Sequence, residues 1–253
     1  MSAVLSQFSK KELTAEQHMR TQLAAAYRIL AMFKMDDLTY THLSARLPGS
    51  DDYFIYPFGL LFEEVTASRL LKVSFDGEVL EGEESEYNQT GYVIHGNIYK
   101  NRPEVNAVFH MHTTAGVAVS AMDCGLLPLS QFSFHFYKQL AYHTYDSLAL
   151  DNQRQGANLV QDLGQQKAMI LRNHGTLTCG ATVHEAFLYA YFLEQACKVQ
   201  CAALGGGQKV VIPPEKVCEQ AAKDVRDFEP DFGFRDWTAL LRKLERTDMS
   251  YKD

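Results

Sequence analysis

The eight residues 105–112, Val-Asn-Ala-Val-Phe-His-Met-His, constrain this chain more than its composition does. Arg102-Pro103 just before them ends any preceding helix, because the residue ahead of a proline is driven out of the helical region. Thr113-Thr114-Ala115-Gly116 just after them is a small-residue turn into the next helix. The apolar run between these limits is short and reads as a buried strand. Side chains alternate faces along a strand, so His110 and His112 project the same way. A third histidine lies in Arg172-Asn173-His174-Gly175, where the apolar strand 168–171 runs into a glycine turn. Histidines set where core strands surface lie where a cleft forms. Three neutral imidazoles are a recurring set for a divalent metal and leave its charge free for Lewis-acid work on an oxygen anion. The plainer alternative is coincidence, since the chain has nine histidines.

The remaining pattern interleaves helices with short strands. Thr14-Ala15-Glu16-Gln17 fits a capping box and opens an amphipathic helix reaching about residue 35. Strand-like pieces follow at 43–47 and 53–56, the second ended by the turn Pro57-Phe58-Gly59. Val73-Ser74-Phe75 and Val79-Leu80 flank Asp76-Gly77, a short-hairpin signal. A helix is expected at 88–100, a short one near 114–122, a strand at 140–145 and a helix at 152–163. The strand 168–171 and its hairpin partner 176–180 precede Thr182-Val183-His184-Glu185, a second capping box that opens the longest helix. That helix ends at the glycines 205–207, and two more helical stretches follow at about 215–227 and 234–245. This order predicts an α/β layered domain with a largely antiparallel or mixed sheet. No linker or internal repeat interrupts it, so residues 1–253 read as one domain with a core at about 14–205 and a helical tail at about 209–253.

Composition excludes several functional classes. The net charge of −7, with no basic patch, argues against nucleic-acid binding. No apolar run approaches the length of a membrane span, and the first residues lack the segments of a secretory signal. Five cysteines without a CxxC pair read as free thiols of a cytoplasmic protein.

Residues 102–113, together with Arg172-Asn173-His174-Gly175, resemble the class II aldolase/adducin family. Tyr56-Pro57-Phe58-Gly59 resembles its substrate-loop segment, and the long helix after Gly180-Ala181-Thr182 is similar too. The resemblance runs from about Thr14 to Gly205. It implies a three-layer α/β/α sandwich with a central, mostly antiparallel sheet, in a homotetramer whose active sites lie between subunits. It also implies that His110, His112 and His174 hold a divalent metal, zinc first, with Mn2+ or Fe2+ as alternatives.

Sugar-phosphate aldolases of the family carry a glutamate base one helix upstream of the histidine pair, and position 91 here is glycine. The nearest acids, Glu84 and Glu86, lie several residues earlier, and Phe58 replaces an expected phosphate-binding threonine, leaving Thr90 as a lone match. A retro-aldol step begins with proton abstraction, whereas decarboxylation of a chelated keto or hydroxy acid does not. The expectation is therefore a metal-dependent carbon–carbon lyase acting on a small keto or hydroxy carboxylic acid, aromatic acids included, by decarboxylation or aldol cleavage. An iron-dependent oxygenase and a non-catalytic, adducin-like assembly domain are the alternatives. Candidate substrate-binding residues are Tyr56, Phe58, Gly59 and Thr90, with His95, His135 and Tyr137 as candidate catalytic groups. Aromatic residues 132–137 suggest an apolar pocket, and Trp237 or Tyr251 in the tail is a candidate to close a neighbouring subunit's cleft.

Overall fold

A computed structural model describes residues 13–82, 89–151 and 154–253. Eight strands build one sheet: β1 (His42–Ala45), β2 (Asp52–Ile55), β3 (Leu71–Ser74), β4 (Val79–Glu81), β5 (Ala107–Met111), β6 (Leu140–His143), β7 (Ala168–Leu171) and β8 (Gly175–Gly180). Their order is β4-β3-β2-β1-β5-β8-β7-β6, antiparallel at every pairing except β6 with β7. The strands β1, β5, β7 and β8 are buried along their whole length, as strands covered on both faces must be.

The helices are α1 (Ala15–Met32), α2 (Gln89–Gly91), a π-helical turn (Tyr92–Gly96), α3 (Asn97–Asn101), α4 (Thr114–Ser120), α5 (Gln131–Phe134), α6 (Arg154–Leu163), α7 (Val183–Gly205), α8 (Glu215–Asp227) and α9 (Phe234–Glu245). One layer holds α1, α4, α7 and α9: α1 packs on β1, α7 and α9, and α7 covers β5 and β8. The π-helical turn, α3 and α6 pack together on the opposite face, with α6 against β6. The result is the expected sandwich of helices, mostly antiparallel sheet, and helices.

Local chemistry explains most of these elements. Thr14 caps α1 reciprocally, its Oγ1 accepting from Gln17 N–H at 3.1 Å while Gln17 Oε1 accepts from Thr14 N–H at 3.0 Å. At α7 only half of the second box forms. Thr182 Oγ1 accepts from Glu185 N–H, but the Glu185 carboxylate turns to Ala181 N–H at 2.7 Å and to Lys167. The helix expected at 88–100 runs through a π-helical turn that seats His95 against β1. Its first residue, like Glu84, Glu86 and the first two residues of the helix expected at 152–163, lies outside the described residues. The short helix α5 has no counterpart in the periodicity of the sequence, because four residues carry too few repeats to show one.

Trp237 and Tyr251 do not extend toward another molecule. Both are buried in this chain's own core, where Trp237 packs on Phe187 and its Nε1–H donates to Gln22 at 2.5 Å. The expectation that either closes a neighbour's cleft is thereby corrected: both rings are taken up by this chain's own core, Trp237 against α7 and Tyr251 in the terminal turn that packs on α1. All five cysteines are unpaired, and no helix among the described residues is long and apolar enough to cross a membrane.

Candidate metal centre

The approach of β8 to β5 creates the site. The two strands pair with His110 opposite Leu177 and Met111 opposite Thr176. A Cβ on Gly175 would stand 2.3 Å from the Met111 carbonyl oxygen, so only glycine lets the strands meet there. The turn joining β7 to β8 needs a left-handed residue, and Asn173 supplies it with φ of 55°. His174, between these two specialised residues, is carried over the end of β5.

Three rings converge as a result. His112 Nε2 lies 2.9 Å from His110 Nε2 and 3.0 Å from His174 Nε2, with ring centroids 4.7 to 4.9 Å apart. His112 sits one residue past the end of β5, yet keeps the orientation that strand alternation gives it. The opposite nitrogens are anchored. His110 Nδ1 donates to the Thr176 carbonyl at 3.1 Å, and His112 Nδ1 donates to Asp37 Oδ2 at 3.0 Å. In the neutral rings both Nε2 atoms then carry lone pairs, which face each other at 2.9 Å.

Burial lowers the basicity of two of the three rings. Burial, then the neighbouring histidines, hold His110 well below the ordinary imidazole range. Burial, then His112 and His143, push His174 down to about 4. With their Nδ1 atoms turned outward, His110 and His112 aim Nε2 at the point where His174 Nε2 also arrives, an arrangement that a cation relieves. A tetrahedral ion with bonds of about 2.0–2.1 Å holds its nitrogens about 3.3 Å apart, a few tenths wider than the spacing here. Ligand type, count, spacing and anchored second nitrogens therefore fit a divalent metal.

The other sequence candidates separate into groups. Tyr56 is buried, and its hydroxyl donates to the carbonyls of Thr39 at 2.5 Å and Thr41 at 2.8 Å, bracing the loop that carries Asp37. Burial raises its pKa. Phe58 is exposed with its ring 6.2 Å from that of Tyr40, and Gly59 has φ of 96° with open space around it. Thr90 Oγ1 lies 3.4 Å from His42 Nε2. His95 is fully buried, its Nε2 2.8 Å from His42 Nδ1 and its Nδ1 against Ser44 Oγ, which lies 2.7 Å from the Tyr99 hydroxyl.

His135 and Tyr137 belong to different surroundings. His135 stacks on Phe192 of α7 with Phe232 tilted against it, and burial pushes it down to about 4. Tyr137 lies under Lys138, which pairs with Glu215 and Glu219 of α8. Phe132 and Phe136 pack on Phe192 and Tyr189 of α7, so the aromatic stretch 132–137 anchors α5.

Two polar side chains beside the cluster were not singled out from the sequence. Asp37 orients His112, and His42, opposite His110 across β1 and β5, has its ring 5.0 Å from the His110 ring. Strand alternation from Leu43 and Ala45 does place His42 and Ser44 on the other face, but only the long-range pairing of β1 with β5 shows what that face meets. Tyr145 approaches His174 to 6.0 Å between centroids and lines, with Ile94, His143 and Arg172, a cavity of about 30 Å3 beside it.

Residues 21–201 match the family model described as the Class II Aldolase and Adducin N-terminal domain. A crystal structure of an aldolase II superfamily protein from Pseudomonas syringae superposes with a TM-score of 0.87 at 43% identity, covering 96% of this chain and 98% of that one. An L-fuculose 1-phosphate aldolase from Glaciozyma antarctica PI12 gives a TM-score of 0.81 at 30% identity, covering 94% of each chain. Alpha-adducin of Rattus norvegicus is 39% identical over 204 residues, which are 78% of this chain and 28% of the adducin.

Proposed function

Since the chain belongs to the class II aldolase and adducin family, we propose that it is a divalent-metal-dependent carbon–carbon lyase acting on a small keto or hydroxy carboxylic acid. The observation that carries this reading is the convergence of three histidine Nε2 atoms, that of His112 standing 2.9 Å from His110 Nε2 and 3.0 Å from His174 Nε2. A divalent cation held by His110, His112 and His174, zinc in the first instance, would polarise the oxygens of a bound acid and draw charge away from the breaking bond.

The chain's own residues set the rest. Asp37 and the Thr176 carbonyl hold His112 and His110 with their Nε2 atoms inward. Gly91 offers no carboxylate to take a proton, and Ile55 and His42 stand against it, which favours release of carbon dioxide over retro-aldol cleavage. Tyr56 braces the 39–41 loop, while exposed Phe58 with Tyr40, Gly59 and Thr90 supply the rim for a substrate. His135 and Tyr137 are turned to α7 and α8 of their own chain, so any acid–base part for them belongs to a homotetramer in which subunits share a cleft. We place the protein in the cytoplasm, with a small carboxylate as its partner and neither nucleic acid nor membrane.

The test couples elemental analysis of the purified protein with assays of the metal-loaded form. We expect about one metal per subunit, lost in His110→Ala, and carbon dioxide released from small α-keto or hydroxy-aromatic acids. Rapid cleavage of fuculose- or rhamnulose-type phosphates with inert acids overturns the decarboxylation. A second reading, a non-catalytic assembly domain, is favoured by the 39% identity with alpha-adducin over 78% of this chain. A protein that neither carries nor takes up metal supports that second reading.

A further inference from the structure

Gly91 and His42 are sterically linked. A Cβ built on Gly91 would lie 3.6 and 3.7 Å from two carbons of the His42 ring and 3.3 Å from Ile55 Cδ1, so a side chain leaving residue 91 would start against His42. The imidazole thus stands beside the place that a side chain at residue 91 would fill. Its ring is 5.0 Å from the His110 ring, but its nitrogens fall outside the group of three that can share one ion. His42 is 1% exposed, and its Nδ1 is occupied by His95 Nε2 at 2.8 Å. His95 is held in turn by Ser44. Among the described residues, the Nε2 of His42 is approached at 3.4 Å by Thr90 Oγ1, longer than an ordinary hydrogen bond.

We propose that His42 is a ligand-contacting residue, whose Nε2 hydrogen-bonds an oxygen of an acid bound at the metal, in the place left by the missing carboxylate at Gly91. His95 and Ser44 are positioning residues that fix the ring from behind. The inference rests on the metal reading above and adds to it a contact from a fourth histidine that is not a metal ligand. A buried polar atom held rigidly beside a metal, with its own partner at poor distance, is arranged in advance for an incoming oxygen.

The test uses the full chain loaded with cobalt(II), whose visible spectrum reports coordination, titrated with acetohydroxamate, a two-oxygen chelator. The parent binds cobalt and then the hydroxamate. His42→Phe keeps the ring volume and the cobalt spectrum but weakens hydroxamate about tenfold or more, the scale of one lost hydrogen bond to a charged group. His42→Gln, which restores a donor near the Nε2 position, binds hydroxamate within about threefold of the parent, and this rescue separates contact from packing. If His42→Phe fails to fold by near-ultraviolet circular dichroism, His42→Gln against His42→Leu makes the same comparison. Hydroxamate affinity unchanged by loss of both ring nitrogens overturns the proposal, as does a cobalt-loaded parent that takes no hydroxamate. A parent that takes no cobalt instead overturns the metal reading.

Discussion

His174 and His135 are both pushed down to about 4 by burial, yet they sit in opposite kinds of surroundings. His174 brings a nitrogen to within 3.0 Å of another histidine's nitrogen at the end of a buried sheet. His135 lays its ring on Phe192 and touches Phe232, with aromatic carbon on its faces. The depressed basicity is the same, but its meaning differs. Beside β5 it accompanies ring nitrogens that converge on one point; beside α7 it accompanies an imidazole laid on a flat aromatic ring. Convergence of donor atoms, more than a perturbed pKa, marks the site.

The largest effect expected from this contrast is on metal binding. His174→Ala should lower metal affinity by about a thousandfold or more, because one of three ligands is lost, while His135→Ala leaves it within about twofold. Competition with a chromophoric chelator measures both, and equal losses in the two variants would break the contrast. Gly175→Ala should be next, destabilising the fold by about 2–4 kcal/mol, since the new methyl meets the Met111 carbonyl and forces β8 off β5. Gly59→Ala, where only the positive φ opposes a side chain, should cost about 1 kcal/mol in the same denaturant titration. Asp37→Asn should weaken the metal about 10- to 100-fold without unfolding the chain, because the second nitrogen of His112 loses its charged acceptor.

The smallest effect is a pH dependence. For His135, the folded pKa of about 4 lies below its ordinary value of 6.5, so the unfolded chain takes up the proton first. Its neutral burial therefore contributes stability that is full above about pH 6.5 and declines as pH falls toward 4. His135→Phe should flatten that decline in a denaturant series between pH 7 and 4, an interval chosen to bracket the two pKa values. An unchanged slope would show that the ring is not kept neutral by its aromatic neighbours.

Much of this was legible in the residue pattern. Capping at Thr14, the Asp76-Gly77 hairpin and the tail helices are local matters, decided by neighbours within a few positions, and the structure has them where the sequence predicts. The pair His110 and His112 was readable from strand alternation alone. What was hidden depended on distant partners. His42 looks like any strand histidine until β1 is laid against β5, and Asp37 like any loop acid until Tyr56 fixes its loop. For His135 the sequence shows a histidine among aromatic residues, and the structure lays those rings between α5 and α7, away from the three converging histidines. Residue spacing carries periodicity, but not which of two apolar surfaces is already taken.

The turn that bears His174 lies 62 positions beyond His112, and the two meet only once the ladder between β5 and β8 is complete. No isolated hairpin or nascent fragment ending before that ladder can grip a cation with all three rings. Ligation at this place would act as a clasp fastened last, adding its binding energy to the finished tertiary structure and none to its precursors. Chelator sensitivity during refolding would then date the moment at which the two halves of the sheet lock together.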